Sequence, residues 1–151
     1  MIDGVRIKDL QVIPDQRGYL AELLRSDDED FVRFGQVYVS VTYPGVVKAW
    51  HMHTRQHDLV VCLSGMILLV LYDDREGSPT HGELQELYLG ELSPRRVRIP
   101  PKVHHGWKCV SARDAMVLNV SSELYRYDAP DEVRLPPHGG QIPYDWSRHD
   151  G

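Results

Sequence analysis

At 151 residues, with 42% hydrophobic and 26% charged side chains, the chain has ordinary globular composition and is excluded from the disordered class. A formal charge of -5 argues against a nucleic-acid surface, which needs a basic patch, although a few local cations suffice to hold a phosphate. No apolar run approaches the roughly 20 residues that cross a bilayer, so no membrane partner is expected.

The opening MIDGVRIKDLQVIP lacks the apolar stretch and small-residue cleavage site of a signal peptide. Cys62 and Cys109 sit inside apolar runs and read as buried free thiols. A cytoplasmic protein is the expectation.

In chain order, alternation and β-branched content predict strands over Val5–Ile13, Tyr19–Leu24, Gln36–Tyr43, Val46–His53, Asp58–Ser64, Met66–Asp73, Leu84–Glu91, Val97–Ile99, Trp107–Val110 and Ala115–Val120. Turn chemistry separates them, as at Asp15-Gln16-Arg17-Gly18, Tyr43-Pro44-Gly45 and Arg75-Glu76-Gly77-Ser78-Pro79. Only Arg25–Phe34, with its acidic cluster, has the make-up of a turn or two of helix. Many short strands at this spacing predict an all-β sandwich or barrel of the jelly-roll kind. Past Tyr125 the alternation stops and Pro, Asp and Gly accumulate, so this irregular C-terminal tail should wrap the barrel or cover its mouth. One domain over 1–151 is expected, with a barrel of about 5–120 and a covering segment of 121–151.

The stretch Trp50-His51-Met52-His53, with Gln56, His57 and Asp58 behind it, carries the chemistry. Residues two apart on a strand share a face, so His51 and His53 point the same way. A lone histidine on a strand is more often packing than chemistry; two on one inward face are harder to explain so. A second segment, Pro100-Pro101-Lys102-Val103-His104-His105-Gly106-Trp107, places further imidazoles beside a glycine. Together the segments resemble the cupin signature: Gly45, His51, His53, Asp58 and Gly65 form its first half, Pro100 and His105 anchor its second. In metal cupins the corresponding side chains converge on one ion, and imidazole with carboxylate suits iron, manganese, nickel or zinc. Here Asp58 stands where that pattern has Glu, and Lys102 where it has Gly.

A narrower resemblance spans nearly the whole chain. Asp15-Gln16-Arg17-Gly18-Tyr19-Leu20-Ala21-Glu22, Gln36-Val37 with Ser40 and Gly45, Lys48-Ala49-Trp50-His51, and Asp73-Asp74-Arg75-Glu76-Gly77-Ser78-Pro79-Thr80 occur in order. They are followed by His104-His105-Gly106-Trp107, Ser122-Glu123-Leu124-Tyr125 with Pro130 and Glu132, and Ile142-Pro143-Tyr144-Asp145-Trp146. This series resembles the dTDP-4-dehydrorhamnose 3,5-epimerase family, which are metal-free cupins. The resemblance implies a homodimeric isomerase acting on a nucleotide-linked 4-keto-6-deoxy sugar, without cofactor.

The chemistry explains the residue types. A C4 ketone acidifies the hydrogens on C3 and C5, and inversion needs a base on one face of the sugar and an acid on the other. The resemblance assigns the base to His51, the acid to Tyr125 with Tyr127 as a rival, and the orienting carboxylate to Asp145. It assigns substrate contacts to Arg17, Glu22, Gln36, Lys48, His53, Asp58, Asp73 and His105.

Two positions depart from the family. Asp58 replaces a lysine that steadies the enolate, and Lys48 replaces an arginine. The paired histidines are also similar to those of sugar-nucleotide 3,4-ketoisomerases, which leaves open whether C3, C5 or both invert, or the ketone moves. A metal-dependent cupin using His51, His53, Asp58 and His105 stands as a second reading, and a non-catalytic sugar-binding cupin as a third.

Overall fold

The computed structural model describes residues 1–150, and among them the regular structure is all strand. One sheet runs β1 (Arg6–Asp9), β9 (Arg95–Ile99), β6 (Asp58–Ser64), β11 (Ala115–Ser121) and β4 (Gln36–Thr42). The other runs β12 (Val133–Arg134), β5 (Val47–Met52), β10 (Val103–Cys109), β7 (Met66–Asp73) and β8 (Leu84–Gly90). A hairpin of β2 (Val12–Asp15) and β3 (Gly18–Ala21) stands apart from both. Most sheet neighbours are distant in sequence and antiparallel, which is the jelly-roll arrangement that alternation and turn spacing predict.

Alternation fills the space between the sheets. Val60 and Cys62 of β6, Ile67, Leu69 and Leu71 of β7, Trp107 and Cys109 of β10 and Val117 of β11 pack into one core. The same inward rows continue as Asp58, His105 and Asn119, all buried. The interior is therefore apolar at one end and polar at the other, and the polar end is where chemistry can sit. A second cluster, Trp50, Val70, Ile142 and Trp146, lies on the opposite face of the β5–β10–β7 sheet. There the tail is pinned by ring contacts, with Trp50 and Trp146 centroids 5.0 Å apart.

The structure departs from three expectations. The strand predicted over Val5–Ile13 is two strands: Leu10 is buried, and its N–H donates to the Pro94 carbonyl at 2.9 Å, which ends the ladder to β9 and sends the chain into the hairpin. Arg25–Phe34 forms turns and no helix. Its acids are drawn elsewhere, since Asp28 accepts from the buried Arg96 guanidinium at 2.7 Å and Asp30 accepts from the same group. The strand expected from Trp107 begins at Val103, so His104 and His105 lie within β10 rather than in a turn.

Register between β5 and β10 matters most. His105 faces His51 and Trp107 faces Lys48, so three steps on β5 match two on β10. This bulge turns both Ala49 and Trp50 to the outer cluster and returns Lys48 and His51 to the interior. Gly106 permits it: a Cβ there would lie 2.3 Å from the Ala49 Cβ.

Candidate active site

The polar end of the sandwich opens as a cavity of about 440 Å³, within the range of small-ligand sites. Strand β4 supplies Gln36, Tyr38 and Ser40, β5 supplies Lys48 and His51, and β10 supplies His105 and Trp107. His53, just past β5, completes the inward imidazoles. The tail closes the mouth with Tyr125, Tyr127, Glu132 and Arg134. The pairing of Arg134 with His51 and Val133 with Met52 as β12 fixes that stretch against the site.

His51 is half-buried, and its ring centroid lies 6.0 Å from that of His105. Burial holds its pKa below the ordinary histidine value, opposed by the negative Glu132 nearby. A neutral imidazole facing a cavity is the form a general base requires. Across the mouth, Tyr125 is held by its backbone N–H, which donates to Gln36 Oε1 at 3.0 Å. Tyr125 and Tyr127 contact edge to face with centroids 5.1 Å apart, and Tyr127 is 91% exposed against 40% for Tyr125. The anchored, better covered ring is the stronger candidate acid.

Behind the histidines lies Asp58, buried among donors. Its Oδ1 accepts from Gln56 Nε2 and Asn119 Nδ2, each at 2.7 Å. Its Oδ2 lies 3.3 Å from His53 Nε2 and 3.6 Å from His105 Nε2. Burial pushes the His105 pKa down to about 4. Among the described residues, His53, Asp58 and His105 bring three possible ligand atoms within 4.8 Å of one another. Of the four residues in the alternative metal-cupin reading, His51 stands outside this group.

Four residues expected at the site lie away from it. Asp145 does not back His51: it is exposed, and its carboxylate accepts from the Ser147 N–H and hydroxyl at 2.8 Å each. The reason is packing, since Tyr144 and Trp146 lock their neighbour onto the outer face with Trp50, across the sheet from His51. Asp73 is fully buried and binds Arg75, Ser78 and Thr80, stapling the turn after β7. Arg17 pairs with Asp15 in the hairpin turn, and Glu22 with Arg25. Neither reaches the cavity of its own chain.

Tyr38, Glu132 and Arg134 also line the cavity, although none was among the expected site residues. Tyr38 lies two positions beyond Gln36 on the same face of β4, so alternation already pointed inward there, and its hydroxyl accepts from Asn119 Nδ2 at 2.7 Å. Glu132 and Arg134 sit in a stretch without periodicity, where sequence offers no sign that two residues would pair with β5.

Comparison with known proteins agrees with this geometry. Residues 1–150 match the family model described as dTDP-4-dehydrorhamnose 3,5-epimerase. A probable low-salt glycan biosynthesis epimerase of Haloferax volcanii is 46% identical over 97% of this chain and 95% of its own length. The crystal structure of a dTDP sugar isomerase from Desulfovibrio desulfuricans superposes with a TM-score of 0.92 at 35% identity, covering 99% of this chain and 94% of that one. A Legionella pneumophila dTDP-6-deoxy-D-glucose-3,5-epimerase, solved in complex with dTDP-4-keto-L-rhamnose, superposes at 0.81 with 26% identity over 91% of this chain and 76% of its own. The chain belongs to the dTDP-4-dehydrorhamnose 3,5-epimerase family.

Proposed function

We propose that this protein is a sugar-nucleotide isomerase that abstracts and returns protons beside the C4 ketone of a dTDP-4-keto-6-deoxyhexose. The observation that carries the reading is His51 and Tyr125 lining one cavity, from a strand on one side and the tail on the other. A base and an acid so placed can take a proton from one face of a ring carbon and return one to the opposite face, which inverts the centre. Glu132 takes the electrostatic part first assigned to Asp145, because its negative charge favours the imidazolium that forms on His51. Lys48, whose Nζ is steadied by Ser40 Oγ at 2.8 Å and the Val41 carbonyl at 2.7 Å, and Arg134 supply positive charge at the mouth for a diphosphate.

The working unit in this reading is a homodimer of single cupin domains in the cytoplasm. β4 is an unpaired sheet edge whose outward Val37, Val39 and Val41 are exposed, and the β2–β3 hairpin exposes Val12, Ile13, Tyr19 and Leu20. A second copy covering this surface gives Arg17 and Glu22 a route to a substrate, which they lack within one chain. The two buried free thiols, Cys62 and Cys109, suit a reducing compartment.

Incubation with a dTDP-4-keto-6-deoxyhexose in heavy water, followed by mass spectrometry, tests the reading. Gain of deuterium by the sugar supports it. Tight binding with no gain in mass would make the protein a sugar-nucleotide binder instead.

A further inference from the structure

We infer that the Tyr38 hydroxyl is the donor that steadies the enolate oxygen at C4, the part the family gives to the lysine that Asp58 replaces. The inference rests on the proposed reaction, which needs such a donor: taking a proton from C3 or C5 puts negative charge on the ketone oxygen. An anion at position 58 opposes that charge, and the donors around it are already engaged. Gln56 Nε2 donates to Asp58 Oδ1 at 2.7 Å, and the Nε2 atoms of His53 and His105 lie 3.3 and 3.6 Å from Asp58 Oδ2. Trp107 Nε1 donates to Thr42 Oγ1 at 2.9 Å.

Tyr38 is left with a proton to give. It faces Asn119 across the β4–β11 ladder, and Asn119 Nδ2 lies 2.7 Å from both Tyr38 Oη and Asp58 Oδ1. A carboxylate oxygen only accepts, so Asp58 fixes the amide with Nδ2 toward itself, and the same nitrogen gives its second hydrogen to Tyr38 Oη. An amide nitrogen accepts nothing in return. The phenolic proton therefore points away from Asn119, and among the described residues no acceptor takes it. Tyr38 lines the cavity, so the proton is available there.

Position along β4 says which substrate atom meets it. Residues 36, 38 and 40 share one face of the strand, each about 7 Å from the next. Gln36 Oε1 holds the backbone of Tyr125, the acid, and Ser40 Oγ holds Lys48, the cation for the diphosphate. Tyr38 stands between these two anchors, where the sugar ring must lie, and on the sheet opposite the one that carries His51. Burial and the negative charge of Asp58 push its pKa up, so the phenol keeps its proton across the neutral range. A neutral phenol brings no charge for Asp58 to neutralise, and its hydrogen bond strengthens as charge develops on the acceptor.

The test follows deuterium uptake by a dTDP-4-keto-6-deoxyhexose in heavy water, with kcat and KM measured separately. Tyr38→Phe should slow uptake by roughly 10²–10³, with the loss in kcat and KM little changed. Inversion should slow with it, unlike the pattern for Tyr125→Phe, in which uptake survives. Replacement of Tyr38 by 3-fluorotyrosine, which keeps the shape and sharpens the donor, should raise uptake above wild type; it decides the matter should Tyr38→Phe fail to fold. Uptake by Tyr38→Phe at the wild-type rate, a loss confined to KM, or a fluorinated protein no faster than wild type would overturn the assignment while leaving the proposed reaction intact. No uptake with wild type itself would overturn the reaction and this role together, so the two failures are told apart.

Discussion

At the scale of single residues, the division of labour between two tail phenols is the sharpest expectation. Tyr125 is tied to Gln36 and half covered, whereas Tyr127 projects into solvent. Tyr125→Phe should lower the rate of inversion by roughly 10²–10⁴, the usual worth of a positioned acid. Deuterium should still enter the sugar, because the enolate still forms at His51. Tyr127→Phe should change kcat little. The reverse pattern, measured by comparing product stereochemistry with mass gain, would move the acid to Tyr127.

Asp73 illustrates the opposite case, a motif residue that works for the fold. Burial pushes its pKa up, but hydrogen bonds from Arg75, Ser78 and Thr80 win and hold it well below the usual carboxylate range. A carboxylate depressed in the folded state contributes stability in full above its unfolded pKa, near 3.8, and loses it as pH falls below that value. Asp73→Asn should therefore cost about 2 kcal/mol in urea unfolding at pH 7. The gap to wild type should shrink toward pH 3, and a gap independent of pH would show that the charge is not what matters.

At the scale of elements, the bulge between β5 and β10 decides which side chains face the cavity. Gly106→Ala would drive a Cβ into Ala49, at an overpacking cost of about 1–3 kcal/mol. Ala49→Gly in the same chain should recover part of the loss, and no recovery would place the strain elsewhere. The bulge also shows what sequence could not supply. Alternation and β-branched content correctly delimited β6 as Asp58–Ser64 and β7 as Met66–Asp73. They could not show that Ala49 and Trp50 share a face, because an added residue resets the period without a local signal. The tail was harder still. Its tyrosines were legible through their motif, but Asp145 was assigned to the wrong side of a sheet, since sequence order says nothing about which face Trp146 will pack on. Glu132 was visible as a motif residue and its nearness to His51 was not.

At the scale of the molecule, a sandwich apolar at one end and polar at the other separates stability from chemistry. The hydrophobic core from Cys62 to Val117 can hold the sheets together while Asp58, His105 and Asn119 stay buried and hydrogen-bonded at the far end. The proposed homodimer adds a third region. Val39 lies half exposed in the middle of an unpaired edge strand, so Val39→Lys should turn a dimer into monomers on analytical ultracentrifugation. If Arg17 and Glu22 act on the cavity of a second copy, the monomer should also lose affinity for the sugar nucleotide. A Val39→Lys protein that remains dimeric would place the interface elsewhere.

The role of His51 as the group that removes the proton is tested most directly by proton magnetic resonance in heavy water. Wild type and His51→Asn, checked for equal thermal stability, would each be mixed with a dTDP-4-keto-6-deoxyhexose. With wild type, the C3 or C5 hydrogen signals should fade as deuterium replaces them; with His51→Asn they should persist, at least about a hundredfold slower to decay. Signals that fade at the same rate with both proteins would contradict the account.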